Sequence, residues 1–196
     1  MKKLVVAMFA LTAFASAGYG GPPAPPYPAQ TYQPSQDLFR DREWNFDLFG
    51  TYAFTSRPYQ SDRYLRVDHA WGGGLSANYI FGRYFGIGVE GYGLAARDAV
   101  GQASANLILR YPIPNTRFAP YVFAGGGVIF NGSDFVDRPF HRFDRRNDTE
   151  GMGQFGGGLE VRLTPNFGII NDFSWNVLGG PRDDFGMIRS GIRFAF

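Results

Sequence analysis

The last stretch of the chain, Phe185 to Phe196, alternates in polarity residue by residue. Ile188, Ser190, Ile192, Phe194 and Phe196 share one parity, and Met187, Arg189, Gly191, Arg193 and Ala195 share the other. Side chains two apart lie on the same face of a β-strand, so one face is mostly apolar and the other carries both arginines. The sequence then stops on an aromatic residue, where soluble domains usually fray into polar tails. This combination predicts the closing strand of a membrane barrel, with its apolar face toward lipid and its arginines inside.

The same period recurs from residue 44 onward. Strands are predicted at Trp44–Phe54, Trp71–Phe81, Tyr84–Ala96, Gln102–Tyr111, Tyr121–Phe130, Met152–Leu163 and Phe167–Leu178, ahead of the final one. In the first, Trp44, Phe46, Leu48, Gly50, Tyr52 and Phe54 oppose Asn45, Asp47, Phe49, Thr51 and Ala53. The fifth is apolar on both parities, which leaves its orientation open, and in the seventh Asn171 falls on the apolar side. Gly72-Gly73-Gly74-Leu75 leading to Phe85-Gly86-Ile87 echoes Gly156-Gly157-Gly158-Leu159 leading to Phe167-Gly168-Ile169, which suggests a repeated hairpin unit. Short turns at Gly82-Arg83, Pro112–Ala119 and Thr164–Asn166 alternate with longer connections such as Ser56–Asp68 and Asn131–Glu150. That asymmetry fits short periplasmic turns and longer external loops. The expected fold is therefore all-β, an eight-stranded antiparallel up-and-down transmembrane β-barrel behind a disordered Pro-rich N-terminal arm.

Charge placement sharpens this. Inside the predicted strands the acids are Asp47, Glu90, Glu160 and Asp172, and the bases are Arg110, Arg162, Arg189 and Arg193. All lie opposite the apolar stripe, in equal numbers of each sign. A soluble barrel would instead scatter many charges over its outer face. Because an unpaired buried charge is very costly, the balance predicts a paired network that plugs the lumen. Aromatic residues gather at the predicted strand ends. Trp44, Tyr79, Phe81, Tyr84, Phe85, Tyr111, Phe118, Tyr121, Phe167, Phe194 and Phe196 fall toward the periplasmic rim, and Tyr52, Phe54, Trp71, Phe130, Phe155 and Trp175 toward the other. Two such girdles are what interfacial aromatic rings produce.

The N-terminal segment reads separately. Met1-Lys2-Lys3, the apolar run Leu4–Phe14 and Ala15-Ser16-Ala17 have the form of a cleaved signal peptide over residues 1–17. Residues 18–43 are a Pro-rich periplasmic spacer in this reading, and 44–196 the barrel. Lys2 and Lys3 are the only lysines, so export lowers Lys+Arg from 19 to 17, equal to Asp+Glu at 17. The neutral exported chain gives no reason to expect nucleic-acid binding. It has no cysteine, hence no disulfide framework and no thiolate chemistry.

The signal, the eight alternating strands and the ending Gly191-Ile192-Arg193-Phe194-Ala195-Phe196 resemble the small OmpA-type and OmpX-type outer-membrane barrels. The resemblance covers about Trp44 to Phe196. It implies a cell outer membrane location, contact with outer-membrane lipids and lipopolysaccharide, and a C-terminal signal read by the barrel-assembly machinery at Ile192, Phe194 and Phe196. No peptidoglycan-binding domain follows the barrel, so that anchoring role of OmpA is not carried over.

Three functions compete on sequence. The first is a non-enzymatic barrel with a structural or surface-contact role, acting as a monomer and touching host surface or cell wall. Its external loop 131–150 interleaves Phe135, Phe140 and Phe143 with Arg138, Arg142, Arg145 and Arg146, residue types favoured in binding hot spots. The second is a narrow solute channel, which a plugged eight-stranded lumen disfavours. The third is a lipid-modifying enzyme, which needs a serine activated by histidine. Only His69 and His141 exist, and neither sits in a serine motif. No catalytic residue, cofactor or metal ligand is assigned. The glycine triplets lie within strands with no Gly-Lys-Ser/Thr after them, so they are not phosphate loops.

Overall fold

The computed structural model describes residues 38–55, 67–96, 99–131, 149–178 and 184–196. The predicted signal peptide, most of the Pro-rich spacer, His141 and the proposed contact residues Phe135 to Arg146 lie outside them. Eight strands are present: β1 (Arg42–Phe54), β2 (His69–Phe81), β3 (Phe85–Ala95), β4 (Ala99–Arg110), β5 (Phe118–Asn131), β6 (Thr149–Thr164), β7 (Phe167–Leu178) and β8 (Phe185–Ala195). Each pairs antiparallel with its sequence neighbours, and β8 pairs back onto β1 to close the barrel.

Register fixes the barrel's size. Following partners from Trp44 through Tyr79, Ile87, Leu107, Ala124, Phe155, Trp175 and Gly186 returns to β1 at Phe54, ten positions past the start. Eight strands with that stagger must tilt, and they enclose a space just wide enough for side chains. The seam is stitched to its last residue. Trp44 N donates to Phe196 O at 3.1 Å, and Phe196 N donates to Trp44 O at 2.9 Å.

Polarity is inverted relative to a water-soluble domain. Leu107 and Trp71 are 70% and 66% exposed on the outer wall, whereas Glu160 and Arg162 are 0% exposed inside. An apolar outside, a charged inside and a sheet without edges together make a bilayer-spanning barrel, since strands paired on both sides leave no open edge toward lipid. One end holds the start of β1, the end of β8 and the turns at 82–84, 111–117 and 165–166; it is called the terminal end below, and the opposite one the loop end.

Several sequence expectations shift. β5 turns Tyr121, Phe123 and Ile129 inward and Val122, Val128 and Phe130 outward, which settles the orientation its doubly apolar pattern left open. Tyr121 therefore leaves the predicted girdle and enters the lumen. Asn171 does face outward, between Leu159 and Ser190 in register. The alternation of connection lengths is not strict. Residues 96–98 alone join β3 to β4, because that ladder continues to Ala95 opposite Ala99, while 111–117 at the other end is longer. Finally, β1 begins at Arg42 rather than 44, and the spacer's last residues belong to the barrel.

Candidate functional site

The inward parities of all eight strands meet in one lumen, and its contents change by level. At the terminal end, Glu43 accepts from Arg110 Nη1 and, at 2.9 Å, from Arg162 Nη2. Arg162 Nε also donates to Glu160 Oε1 at 2.7 Å. The Phe39 ring covers this group from below, 5.3 Å from the Arg110 guanidinium and 5.1 Å from that of Arg162. Phe39 is itself buried. Cations stacked on a ring and hydrogen-bonded to carboxylates on their other side tolerate loss of water.

Next, Arg193 links levels. Its Nη1 donates to Glu160 Oε2 at 2.7 Å, while Nε and Nη2 form a fork onto Asp47 at 2.6 and 2.7 Å. Ser76 and Asn78 supply two more donors to Asp47 Oδ2, at 2.7 and 2.9 Å. Arg189 occupies the centre. It donates through Nε to Asp172 at 2.6 Å and through Nη1 to Glu90 at 2.6 Å, from β8 to β7 and across the lumen to β3. Its guanidinium lies between two rings, 5.2 Å from Phe49 and 4.8 Å from Phe123.

Glycine makes those seats. Phe49 stands opposite Gly74 in the β1–β2 register, and Phe123 opposite Gly156 in the β5–β6 register. A Cβ at Gly74 would come 2.8 Å from Phe49 Cζ, and one at Gly156 would come 2.7 Å from Phe123 Cζ. The two glycine-rich hairpins are thus counterparts, with Gly74 equivalent to Gly156 rather than to Gly158. Glu90 and Asp172, one strand further on in each half, grip the same arginine.

All eight charged residues singled out on sequence face this lumen in ion pairs, but the count of four acids against four bases needs correction. Glu43, assigned to the spacer, is a fifth buried acid. Glu43, Glu160 and Asp47 balance Arg110, Arg162 and Arg193 in the lower group. Among the described residues Glu90 and Asp172 share Arg189 alone, so the upper group has one formal negative charge in excess. Neutral donors hold it. Tyr121 Oη donates to Asp172 at 2.6 Å, and Gln154 Nε2 and Ser104 Oγ donate to Glu90 at 2.7 and 3.3 Å.

Toward the loop end the lumen turns apolar. Leu94, Val100, Ile129, Met152, Leu178, Phe185 and Met187 form a buried cluster with Tyr92, Ala53 and Ala70. Opposite members of this lid in register, Gln102, Ser174 and Asn176 keep buried polar atoms with no partner among the described residues. A cavity of about 30 Å³ lies lower, between the Arg193 and Arg189 levels. It has room for about two water-sized molecules and for no organic solute.

His69 is exposed on the outer wall with its ring 5.9 Å from that of Tyr52, and among the described residues no serine bonds to it. Among the same residues no group of three or more His, Cys, Asp or Glu side chains is placed to hold a metal ion. The C-terminal residues Ile192, Phe194 and Phe196 all point outward, and the Phe196 and Phe46 rings sit 6.1 Å apart in an edge-on contact.

No protein-family model matches the chain, and no curated protein matches it in sequence. Solved structures do match in fold. The N-terminal β-barrel domain of Pseudomonas aeruginosa OprF superimposes with a TM-score of 0.59 at 19% identity, covering 79% of this chain and 97% of that one. Neisserial surface protein A gives 0.59 at 16% identity, with 80% and 98% covered. Ail, the attachment invasion locus protein of Yersinia pestis, gives 0.53 at 16% identity, with 80% and 100% covered; it has also been crystallised with the heparin analogue sucrose octasulfate. The fold is that of the small outer-membrane barrels.

Proposed function

We propose that this chain is a closed, non-conducting outer-membrane barrel with a structural or surface-contact role, and not an enzyme. The observation that carries it is the double seal of the lumen. An ion-paired layer capped by Phe39 closes the terminal end, and the apolar cluster from Leu94 to Met187 closes the loop end. Opening a path for ions would separate buried charge pairs and unpack the lid, both costly. The terminal end faces the periplasm and the loop end the cell exterior in this reading. Outer-membrane residence, export by the signal at 1–17 and action as a monomer belong to the same proposal. Planar-bilayer recording of the refolded full chain is expected to show no unitary conductance steps, and reproducible steps would favour the narrow-channel reading instead.

A contact role belongs to the external loop 131–150. The name of Ail speaks of attachment, and at 16% identity that property is Ail's own. What supports it here is composition, since Phe135, Phe140 and Phe143 alternate with Arg138, Arg142, Arg145 and Arg146. Arginine forks suit lipopolysaccharide phosphates and host polyanions, and the rings add desolvated area. Deleting Phe135 to Arg146 is expected to abolish binding of the folded barrel to lipopolysaccharide and to host-cell surfaces. Binding at wild-type level by the deleted form would remove the proposal while leaving the barrel reading intact.

A further inference from the structure

Among the described residues, the terminal rim carries arginines that the lumen does not use. At the terminal rim stand Arg40, Arg42, Arg83 and Arg117, against one exposed side-chain carboxylate among the described residues, Asp41. At the loop end the described charged groups are Asp68, Glu150 and Asp184. The arginines ring the rim instead of clustering. Arg42 starts β1, Arg83 sits in the β2–β3 turn, Arg117 lies in the β4–β5 turn, and Arg40 reaches the β6–β7 turn through Asn166.

Their level and direction matter as much as their number. Arg42 is exposed on the outer parity of β1, two positions beyond Trp44, so it lies just past the aromatic belt. Arg117 Nη1 donates to Leu163 O at 3.3 Å, which holds its side chain along the outer wall. Arg40 Nη2 donates to Asn166 Oδ1 at 3.4 Å. These partners are neutral oxygens that use a small part of each guanidinium's five donors and none of its charge. In a bilayer, groups immediately beyond the aromatic belt meet the headgroup phosphates.

We propose that this arginine collar is a binding surface for anionic phospholipid headgroups in the leaflet at the terminal end. The inference rests on the membrane reading above and adds the leaflet, the ligand class and the residues. Phosphatidylcholine presents the same phosphate beside a fixed cation, whereas phosphatidylglycerol presents it with a net negative charge. A collar that reads headgroup charge discriminates the two, and each arginine near an anionic surface is worth about a fivefold change in affinity.

The test uses the full chain refolded in a zwitterionic detergent, with heat-modifiable gel mobility as the check of folding. It is titrated with dimyristoyl phosphatidylglycerol or dimyristoyl phosphatidylcholine, and bound lipid is counted by native mass spectrometry. The expected result is a clear preference for phosphatidylglycerol, reduced more than tenfold in an Arg42→Gln, Arg117→Gln double variant that keeps its folded mobility. Asp68→Asn at the loop end is expected to leave the preference unchanged. Equal binding of the two lipids, or a double variant that still prefers phosphatidylglycerol, overturns the collar. So does displacement of the lipid by inorganic phosphate at matched ionic strength, because the surface would then read free phosphate. Absence of any heat-modifiable form would instead bring down the membrane reading itself.

Discussion

Arg189→Ala is expected to remove about 3–5 kcal/mol of barrel stability, since it strips the only cation among the described residues from two buried carboxylates. Glu90 and Asp172 both bond to Arg189, and no other cation among the described residues contacts either of them. Phe49 and Phe123 would also lose the group that fills the space between their rings. Urea titration of the refolded protein, followed by heat-modifiable mobility, measures the loss. A midpoint within experimental error of wild type would show that the central cluster does not hold the barrel together. Insertion should respond differently. The outward-facing Phe196 pairs both backbone groups with Trp44 across the seam, and we propose, on the resemblance to the small outer-membrane barrels, that Ile192, Phe194 and Phe196 are the signal read during assembly. Removing Phe196 is therefore expected to lower the yield of protein in the outer membrane more than Arg189→Ala does. Equal yields from the two variants would refute the assembly role.

The wall of this barrel is readable from sequence because its physics is local. A residue's face depends on parity alone, so eight alternating runs give eight strands and put Asp47, Glu90, Arg110 and the others inside. Pairing across the lumen is not local. Whether Arg189 meets Glu90 depends on the accumulated stagger of the strands between them, which no single run encodes. Three further features escape for identifiable reasons. The loop-end lid is built where inward and outward residues are both apolar, as at Val100, Met152 and Leu178, so alternation fades there. Phe39 is one aromatic residue with no periodic neighbours, and only its stacking on Arg110 and Arg162 gives it meaning. Glu43 hides in the run Asp41-Arg42-Glu43, which reads as a solvated linker. Its adjacency to Trp44 was the available clue, since extending the β1 parity by one residue places it inside.

Glu43 also separates two ideas about what stabilises such a lumen. If the total count of charges governs, removing any one of the five acids should help, because it leaves four carboxylates facing four guanidiniums. If geometry governs, the identity of the acid decides. Glu43→Gln withdraws the carboxylate that Arg110 and Arg162 share, and leaves both beside Glu160, which already serves Arg193. Glu90→Gln makes the same change in charge one level up, but Arg189 keeps Asp172. There the new amide nitrogen has a ready acceptor, because Gln154 Oε1 is buried without a partner and its amide can flip. The geometric account therefore expects Glu43→Gln to cost about 3 kcal/mol, while Glu90→Gln stays within about 1 kcal/mol of wild type. Urea midpoints of the two variants, which carry identical net charge, decide between the accounts. If both gain stability, or both lose it equally, the division of the lumen into a balanced lower group and an acid-rich upper one has no energetic meaning.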